Sequence, residues 1–166
     1  MGGLGFSYIG LIFLCCLFIP NIFYGLNLPV DFREIKENRI LLVFERAGQV
    51  LTTTLVLIFD DLNIRKIDFW TIWLGVAGFL MLFYLMCWGR YFTGKHISVD
   101  FYRPFLGIPL PLAVLPVAAV FFLSVYARAV WLGAAAIVLG IGHIGITAQN
   151  WNAIKKQNHQ NTNSFR

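Results

Sequence analysis

Five apolar runs of about 20 residues each constrain what this chain can fold into. They cover residues 5–24, 40–59, 69–88, 105–126 and 129–149. A helix of about 20 residues crosses the hydrocarbon core of a bilayer, and it satisfies its own backbone hydrogen bonds there. Composition agrees, because 58% of the residues are hydrophobic and only 13% are charged. We therefore predict an all-α, polytopic membrane helix bundle with five transmembrane helices.

The distribution of cationic residues predicts how this bundle is oriented. Nine cations fall in connections on one side: Arg33, Lys36, Arg39, Arg90, Lys95, Arg103, Lys155, Lys156 and Arg166. The opposite side has three, which are Arg65, Lys66 and Arg128. Cytoplasmic loops carry the excess of Lys and Arg, so we predict an external N-terminus at Met1 and a cytoplasmic C-terminus. The chain contains no Asn-x-Ser/Thr sequon, which favours a bacterial cytoplasmic membrane.

The domain organisation follows from the same pattern. Residues 1–154 form a predicted five-helix transmembrane domain, and residues 155–166 form a polar cytoplasmic tail with the composition of a solvated or frayed end. The net charge of +5 comes from the cationic residues of the cytoplasmic loops, which we expect to face anionic lipid headgroups. We therefore predict membrane lipid as a partner and no nucleic acid.

The second apolar run contains a carboxylate next to a guanidinium, at Glu45 and Arg46. A charged group near the bilayer centre costs roughly 2.5–3.5 kcal/mol on insertion scales, so such groups usually face a protein interior or a wet cavity. Glu45, Gln49 and Thr52 are spaced by four and three residues, which places them on one helical face. Arg46 flanks that face. This face is our first candidate for a site.

A histidine in the fifth run lies at the same depth as Glu45. Both residues are about 8–10 Å inside their helices, measured from the predicted cytoplasmic side. We predict that the second and fifth spans are adjacent, with Glu45, Arg46 or Gln49 within hydrogen-bond reach of His143 or Thr147, because unpaired polar groups in hydrocarbon are costly. The full set of candidate ligand-binding residues is Glu45, Arg46, Gln49, Thr52, His143, Thr147 and Asn150.

Two patterns predict how other helices meet this site. Small residues precede His143 at steps of three or four, at Ala129, Gly133, Ala136 and Gly140, and such a stripe lets another helix approach closely. The fourth run contains Pro109, Pro111 and Pro116, which should break or bend its helix on the cytoplasmic side. The prolines form a simple kink or else expose carbonyls that line the same pocket as Glu45 and His143; the sequence leaves both open.

The residues leave three classes of function open. The first is binding of a small amphiphile or lipid-like molecule, alone or as a transporter subunit, with Arg46 holding the head group. The second is a membrane-embedded enzyme that uses Glu45 and His143 as an acid–base pair on a lipid or isoprenoid. The third is a noncatalytic assembly or immunity partner in a homo-oligomer or larger membrane complex, where the polar cluster only joins helices. We predict no cofactor and no metal, because no ligand spacing points to one.

Overall fold

The computed structural model describes residues 3–32 and 34–164, with side chains described up to residue 157. The expectations for Met1, Arg33, Arg166 and the side chains of residues 158–165 lie outside this description. The described residues are all-helical, which confirms the predicted class, and contain no strand. The helices are α1 (Tyr8–Leu26), α2 (Arg39–Ile58), α3 (Ile72–Phe92), α4 (Ser98–Tyr102), α5 (Pro111–Tyr126) and α6 (Val130–Ser164).

Four helices in the described part of the chain are long and apolar enough to cross a membrane. They are α1, α2, α3 together with the 3-10 turn that precedes it, and the Val130–Gln157 part of α6. The fourth apolar run differs, because α5 has 16 residues and spans about 24 Å, less than the thickness of the hydrocarbon core. The described residues therefore contain four candidate spans and one shorter apolar helix, and the fifth full span stays a prediction.

The prolines explain why α5 is short. The helix begins only at Pro111, which occupies the first helical position, where a missing N–H costs nothing. The preceding residues form a turn in which Leu106, Gly107 and Leu110 all have positive φ. The predicted break is thus confirmed for residues 105–110, whereas Pro116 stays inside the helix.

Helix α6 is longer than the apolar run that predicts it. The run ends at residue 149, but the helical backbone continues to Ser164 and includes residues predicted to be a frayed tail. No Gly or Pro follows Gly145 in this segment, so polar composition alone did not end the helix. The stacking of Trp151 on Tyr102, with ring centroids 5.4 Å apart, holds this extension against α4.

The helices pack in an order that leaves α1 at the edge. The most extensive contacts join α2 to α6, α3 to α5 and α5 to α6, whereas α1 makes smaller contacts with α2 and α3. The core of buried side chains lies mainly between α3 and α5 and includes Tyr84, Trp88 and Leu123. Because α1 contributes few buried residues, its attachment depends on specific contacts at its ends.

The start of α1 is held against the segment that follows α2. The Asn63 side chain accepts a hydrogen bond from the backbone N–H of Tyr8 and donates one to the carbonyl of Phe6, both at 2.9 Å. The backbone N–H of Gly5 donates to the carbonyl of Ile58 at 2.9 Å. These bonds fix the two chain segments side by side at the end of the bundle opposite to the α1–α2 connection.

Candidate functional site

Glu45 and His143 form the central contact of the candidate site. His143 Nδ1 lies 2.7 Å from Glu45 Oε1, which joins α2 to α6 and confirms the predicted adjacency of these two helices. The Glu45 side chain is 14% exposed and that of His143 is 31% exposed. An ionised carboxylate only accepts hydrogen bonds, so with Glu45 ionised the imidazole donates through Nδ1 and keeps Nε2 for another partner.

Glycines bring the two backbones close enough for this bond. A Cβ atom on Gly142 would overlap the backbone nitrogen of Glu45, and one on Gly48 would overlap the backbone of Leu139. Such contacts are typical of helix pairs that approach through small residues. The Gly142 position places the next residue, His143, beside the Glu45 side chain.

The predicted stripe of small residues does not pack against α2. A Cβ atom on Gly133 would meet Ser124 and one on Gly140 would meet Val117, and both of these residues belong to α5. The stripe therefore packs against α5, while Gly142 packs against α2. Sequence reasoning missed Gly142, although its spacing of three from Gly145 was a usable signal.

A cavity of about 510 Å³ lies beside the Glu45–His143 pair. All five long helices contribute to its wall. Its polar lining residues are Asn21, Gln49, Thr52, Thr53, Thr54, Tyr84 and His143, and its apolar ones are Leu14, Leu17, Phe18, Val50, Pro116, Val117, Val120 and Leu139. Pro116 borders the cavity, so one proline of the fourth run reaches the predicted pocket, whereas Pro109 and Pro111 do not line it.

Thr52, one of the residues of the cavity lining, has a buried hydroxyl without a partner. Thr52 is 3% exposed, and its Oγ1 has no hydrogen-bond partner among the described residues. A buried hydroxyl without a partner costs about 1–3 kcal/mol, so such groups usually have a reason to persist. The Thr52 oxygen has less than 1 Å² of accessible surface, so it is enclosed by protein beside the cavity and does not open into it.

Four polar residues of the cavity lining were not among the predicted candidates: Asn21, Thr53, Thr54 and Tyr84. The Asn21 side-chain amide in α1 donates to the Tyr84 hydroxyl at 2.8 Å and to the Leu17 carbonyl at 2.7 Å. The bond to Tyr84 ties α1 to α3 across the cavity wall, whereas the bond to Leu17 lies within α1. For Asn21 the signal was an amide directly after Pro20 in an apolar run, since such amides commonly form hydrogen bonds between membrane helices.

Arg46 lies away from the cluster, contrary to its predicted role of holding a head group. Its side chain is exposed on the outer surface of α2 and does not line the cavity. Among the described residues it forms no ion pair. The physical reason is helical geometry, because one residue turns the side chain by about 100° and Glu45 already faces α6.

Thr147 and Asn150 do not line the 510 Å³ cavity either. The Thr147 hydroxyl donates to the carbonyl of His143 at 2.7 Å, one turn back in the same helix. Asn150 borders a second space of about 670 Å³, near the connections α1–α2 and α3–α5, together with Asp31, Glu37 and Tyr102. Burial raises the pKa of the Tyr102 phenol, so this side chain stays a neutral hydrogen-bond donor.

The cluster presents two groups of the type that bind metals. Of the side chains that the structure describes, no three from His, Cys, Asp and Glu come together in one place. Glu45 and His143 alone are fewer than the three protein ligands of a typical catalytic zinc site. What the cluster offers is a hydrogen-bonded carboxylate–imidazole pair next to an apolar cavity with a few hydroxyl and amide groups.

The fold and the site together define an all-helical chain with membrane-length apolar helices and a polar cluster between them. No protein-family model, curated protein or solved structure matches the chain significantly.

Proposed function

We propose that this protein is an integral membrane protein whose intramembrane cavity binds a small amphiphile or lipid-like molecule. It acts alone or as the membrane subunit of a transporter. The observation that carries this proposal is the 510 Å³ cavity between the helices, which combines apolar side chains with a few polar ones such as Gln49 and His143. Binding sites for small molecules have this volume and this mixture of apolar walls and a few convergent polar groups.

We further propose that the chain crosses the membrane five times, with the N-terminus outside and the C-terminus in the cytoplasm of a bacterial cell. In this topology α5 spans together with the turn at residues 105–110. Arg90 supports it by donating to the carbonyls of Arg103 and Pro104 at 2.7 and 3.1 Å, which satisfies irregular backbone near the membrane border. Reporter fusions after residue 157 test the orientation, and an externally active fusion would contradict it.

A second candidate function is catalysis at the same cluster. The Glu45–His143 hydrogen bond at 2.7 Å supports it, because a carboxylate that orients an imidazole is a common acid–base arrangement. In this reading His143 exchanges a proton with a lipid or isoprenoid substrate through Nε2, and Glu45 is its positioning residue. The third candidate, an assembly partner in a homo-oligomer or larger membrane complex, gives the pair a purely structural role.

The test is to identify what the purified protein retains. We expect native mass spectrometry in a mild detergent to detect one amphiphile bound to each chain. His143→Ala removes a cavity-lining side chain, so it should reduce the bound fraction at least about fivefold, equivalent to the loss of one hydrogen bond. Arg46→Gln is the matched control, since Arg46 neighbours Glu45 in the chain but lies outside the cavity, and it should retain the amphiphile.

The fate of the bound amphiphile and the stability of each variant together decide among the candidates. Loss of the amphiphile from a His143→Ala protein that still melts cooperatively supports binding. Equal retention by wild type and His143→Ala, or no retained amphiphile in either, would contradict the proposed function. A retained molecule that is chemically altered by wild type and left unaltered by Glu45→Gln would instead support the enzyme.

A further inference from the structure

The 510 Å³ cavity and the 670 Å³ space are lined by the same faces of α1, α2 and α6. In α1, Leu17 and Asn21 line the cavity and Tyr24 lines the space, and steps of four and three keep them on one helical face. In α2, Gln49 lines the cavity, and Leu42, seven residues earlier on the same face, lines the space. The cavity and the space therefore follow each other along the bundle.

The Glu45–His143 pair lies where the cavity and the space meet. Glu45 comes three residues after Leu42 and four before Gln49, so it lies between them on the same face of α2. In α6, His143 lines the cavity, and Asn150, seven residues later, lines the space. The Glu45 side chain is 14% exposed, so it is not fully enclosed by protein. A carboxylate is thus accessible at the junction.

The 670 Å³ space has a negative lining, although the whole chain has a net charge of +5. Three carboxylates and one ammonium group line it, those of Asp31, Glu34, Glu37 and Lys36. The Asp31 carboxylate is held in place by Ser98, whose backbone N–H and hydroxyl donate to Oδ1 at 2.6 and 2.9 Å. Asp31, Glu34 and Lys36 are exposed, so the space opens to the surface of the protein. A lining of one dominant sign concentrates ions of the opposite sign.

The 510 Å³ cavity adds groups that favour the same sign of charge in a ligand. Of the residues that the structure describes, no Lys or Arg lines it. Aromatic rings line both spaces, with Tyr24 and Tyr102 in the larger one and Phe18 and Tyr84 in the smaller one. The face of an aromatic ring attracts a cation. An anion would lose its hydration and meet the Glu45 carboxylate, which is unfavourable in an apolar setting.

We infer that the ligand carries a cationic head, an organic ammonium group, which lies at the Glu45–His143 junction while the apolar tail occupies the 510 Å³ cavity. The 670 Å³ space is the vestibule through which the head reaches the junction from the aqueous side. This inference rests on the proposed function, and it names the class of ligand and the route of its head.

The first experiment tests the route with two small reagents of opposite charge. Gln49→Cys places a thiol in the cavity of a protein whose native cysteines, Cys15, Cys16 and Cys87, are replaced by alanine. The protein in lipid nanodiscs reacts with trimethylammonium-ethyl or sulfonatoethyl methanethiosulfonate. Thr93→Cys, exposed and outside both linings, is the reference thiol. We expect the cation-to-anion ratio of rates to be at least about tenfold higher at Gln49→Cys than at the reference.

Neutral variants test whether the carboxylates cause this preference. Glu34→Gln combined with Glu37→Gln should lower the rate ratio at Gln49→Cys by about threefold or more, and Glu45→Gln should lower it as well. Asp100→Asn is the matched control, because this carboxylate lies outside both linings. Glu34 and Glu37 precede α2, so their double variant keeps the test valid even where Glu45→Gln fails to fold.

The second experiment tests the head directly. Dodecyltrimethylammonium, dodecanoate and dodecanol share one alkyl chain, and each is added to the Gln49→Cys protein before the reagent. We expect dodecyltrimethylammonium to protect the thiol at about tenfold lower concentration than the other two, because it alone gains a countercharge and aromatic contacts. The Thr93→Cys thiol corrects for the surface charge that each compound adds to the nanodisc.

The outcomes separate this inference from the function on which it rests. A Gln49→Cys thiol that reacts with neither reagent, or equally with both, overturns the charged route and leaves amphiphile binding intact. Stronger protection by dodecanoate or dodecanol overturns the cationic head. If no compound protects the thiol, the cationic head is overturned as well. The proposed function fails with it only when native mass spectrometry also detects no retained amphiphile.

Discussion

The two faces of α2 differ in how closely they meet their neighbours. Toward α6 the backbones touch through Gly48 and Gly142, and the Glu45–His143 hydrogen bond lies in this contact. Toward α1 the backbones touch at Gly10 and Val56, and farther along the two helices the 510 Å³ cavity lies between them. We therefore expect the α2–α6 pair to be the more rigid side of α2 and the α1–α2 boundary to be the more mobile one.

Adding one methyl group at Gly142 should destabilise the close contact between α2 and α6. Gly142→Ala forces the new Cβ into the backbone of Glu45, which no side-chain rotation relieves, so we expect the free energy of unfolding to fall by about 2–3 kcal/mol. Gly78→Ala in α3 is the control, because nothing lies within 4 Å of its Cβ position. It should leave stability unchanged or raise it by up to about 1 kcal/mol. Thermal melting in detergent measures both, and equal melting temperatures would refute the tight contact.

A double-mutant cycle should measure how much the Glu45–His143 hydrogen bond contributes to the contact between α2 and α6. Combining Glu45→Gln with His143→Gln should give a coupling energy of about 0.6–2 kcal/mol, the range for hydrogen bonds between membrane helices. The cycle of Arg46→Gln with His143→Gln should give a value near zero, since Arg46 is exposed on another face. Equal coupling in the two cycles would mean that the bond does not hold α2 against α6.

Replacing either of two buried threonines by valine should change the free energy of unfolding in opposite directions. Thr52 and Thr147 are 3% and 9% exposed, but only the Thr147 hydroxyl has a partner. In ligand-free protein Thr52→Val should raise the free energy of unfolding by about 1 kcal/mol, because it removes an unsatisfied buried group. Thr147→Val should lower it by about 0.5–1 kcal/mol. Equilibrium unfolding of both variants checks this, and a loss of stability in both would mean that Thr52 has a partner within the protein.

Part of the fold and of the site could be predicted because hydrocarbon limits the choices. Helix α2 begins and ends within one residue of the apolar run that predicted it. The meeting of Glu45 with His143 followed from their shared depth, since both needed a partner away from lipid. Apolar length and the cost of unpaired polar groups were sufficient for these two results.

The features that were not predicted depend on how the helices are rotated and packed, which the sequence of a single apolar segment does not determine. Glu45 and Arg46 are adjacent in the chain, and only the contact with α6 decides which one faces inward. The cavity also required α1 and α3, where Asn21 and Tyr84 meet across 63 positions of sequence. The part of the cavity beside Val50 depends on how α1 and α2 diverge beyond Gly10. The sequence of either helix alone does not determine that divergence.

The distance along the chain between Glu45 and His143 has a consequence for biogenesis. The two residues are 98 positions apart, so Glu45 enters the membrane long before its partner is made. At ordinary rates of translation, about 5–20 residues per second, the carboxylate waits for roughly 5–20 seconds without the imidazole. During that interval the incomplete protein displays a polar group that membrane chaperones and quality-control proteases can recognise. Chains truncated before α6 should therefore be degraded faster in cells than the full-length protein.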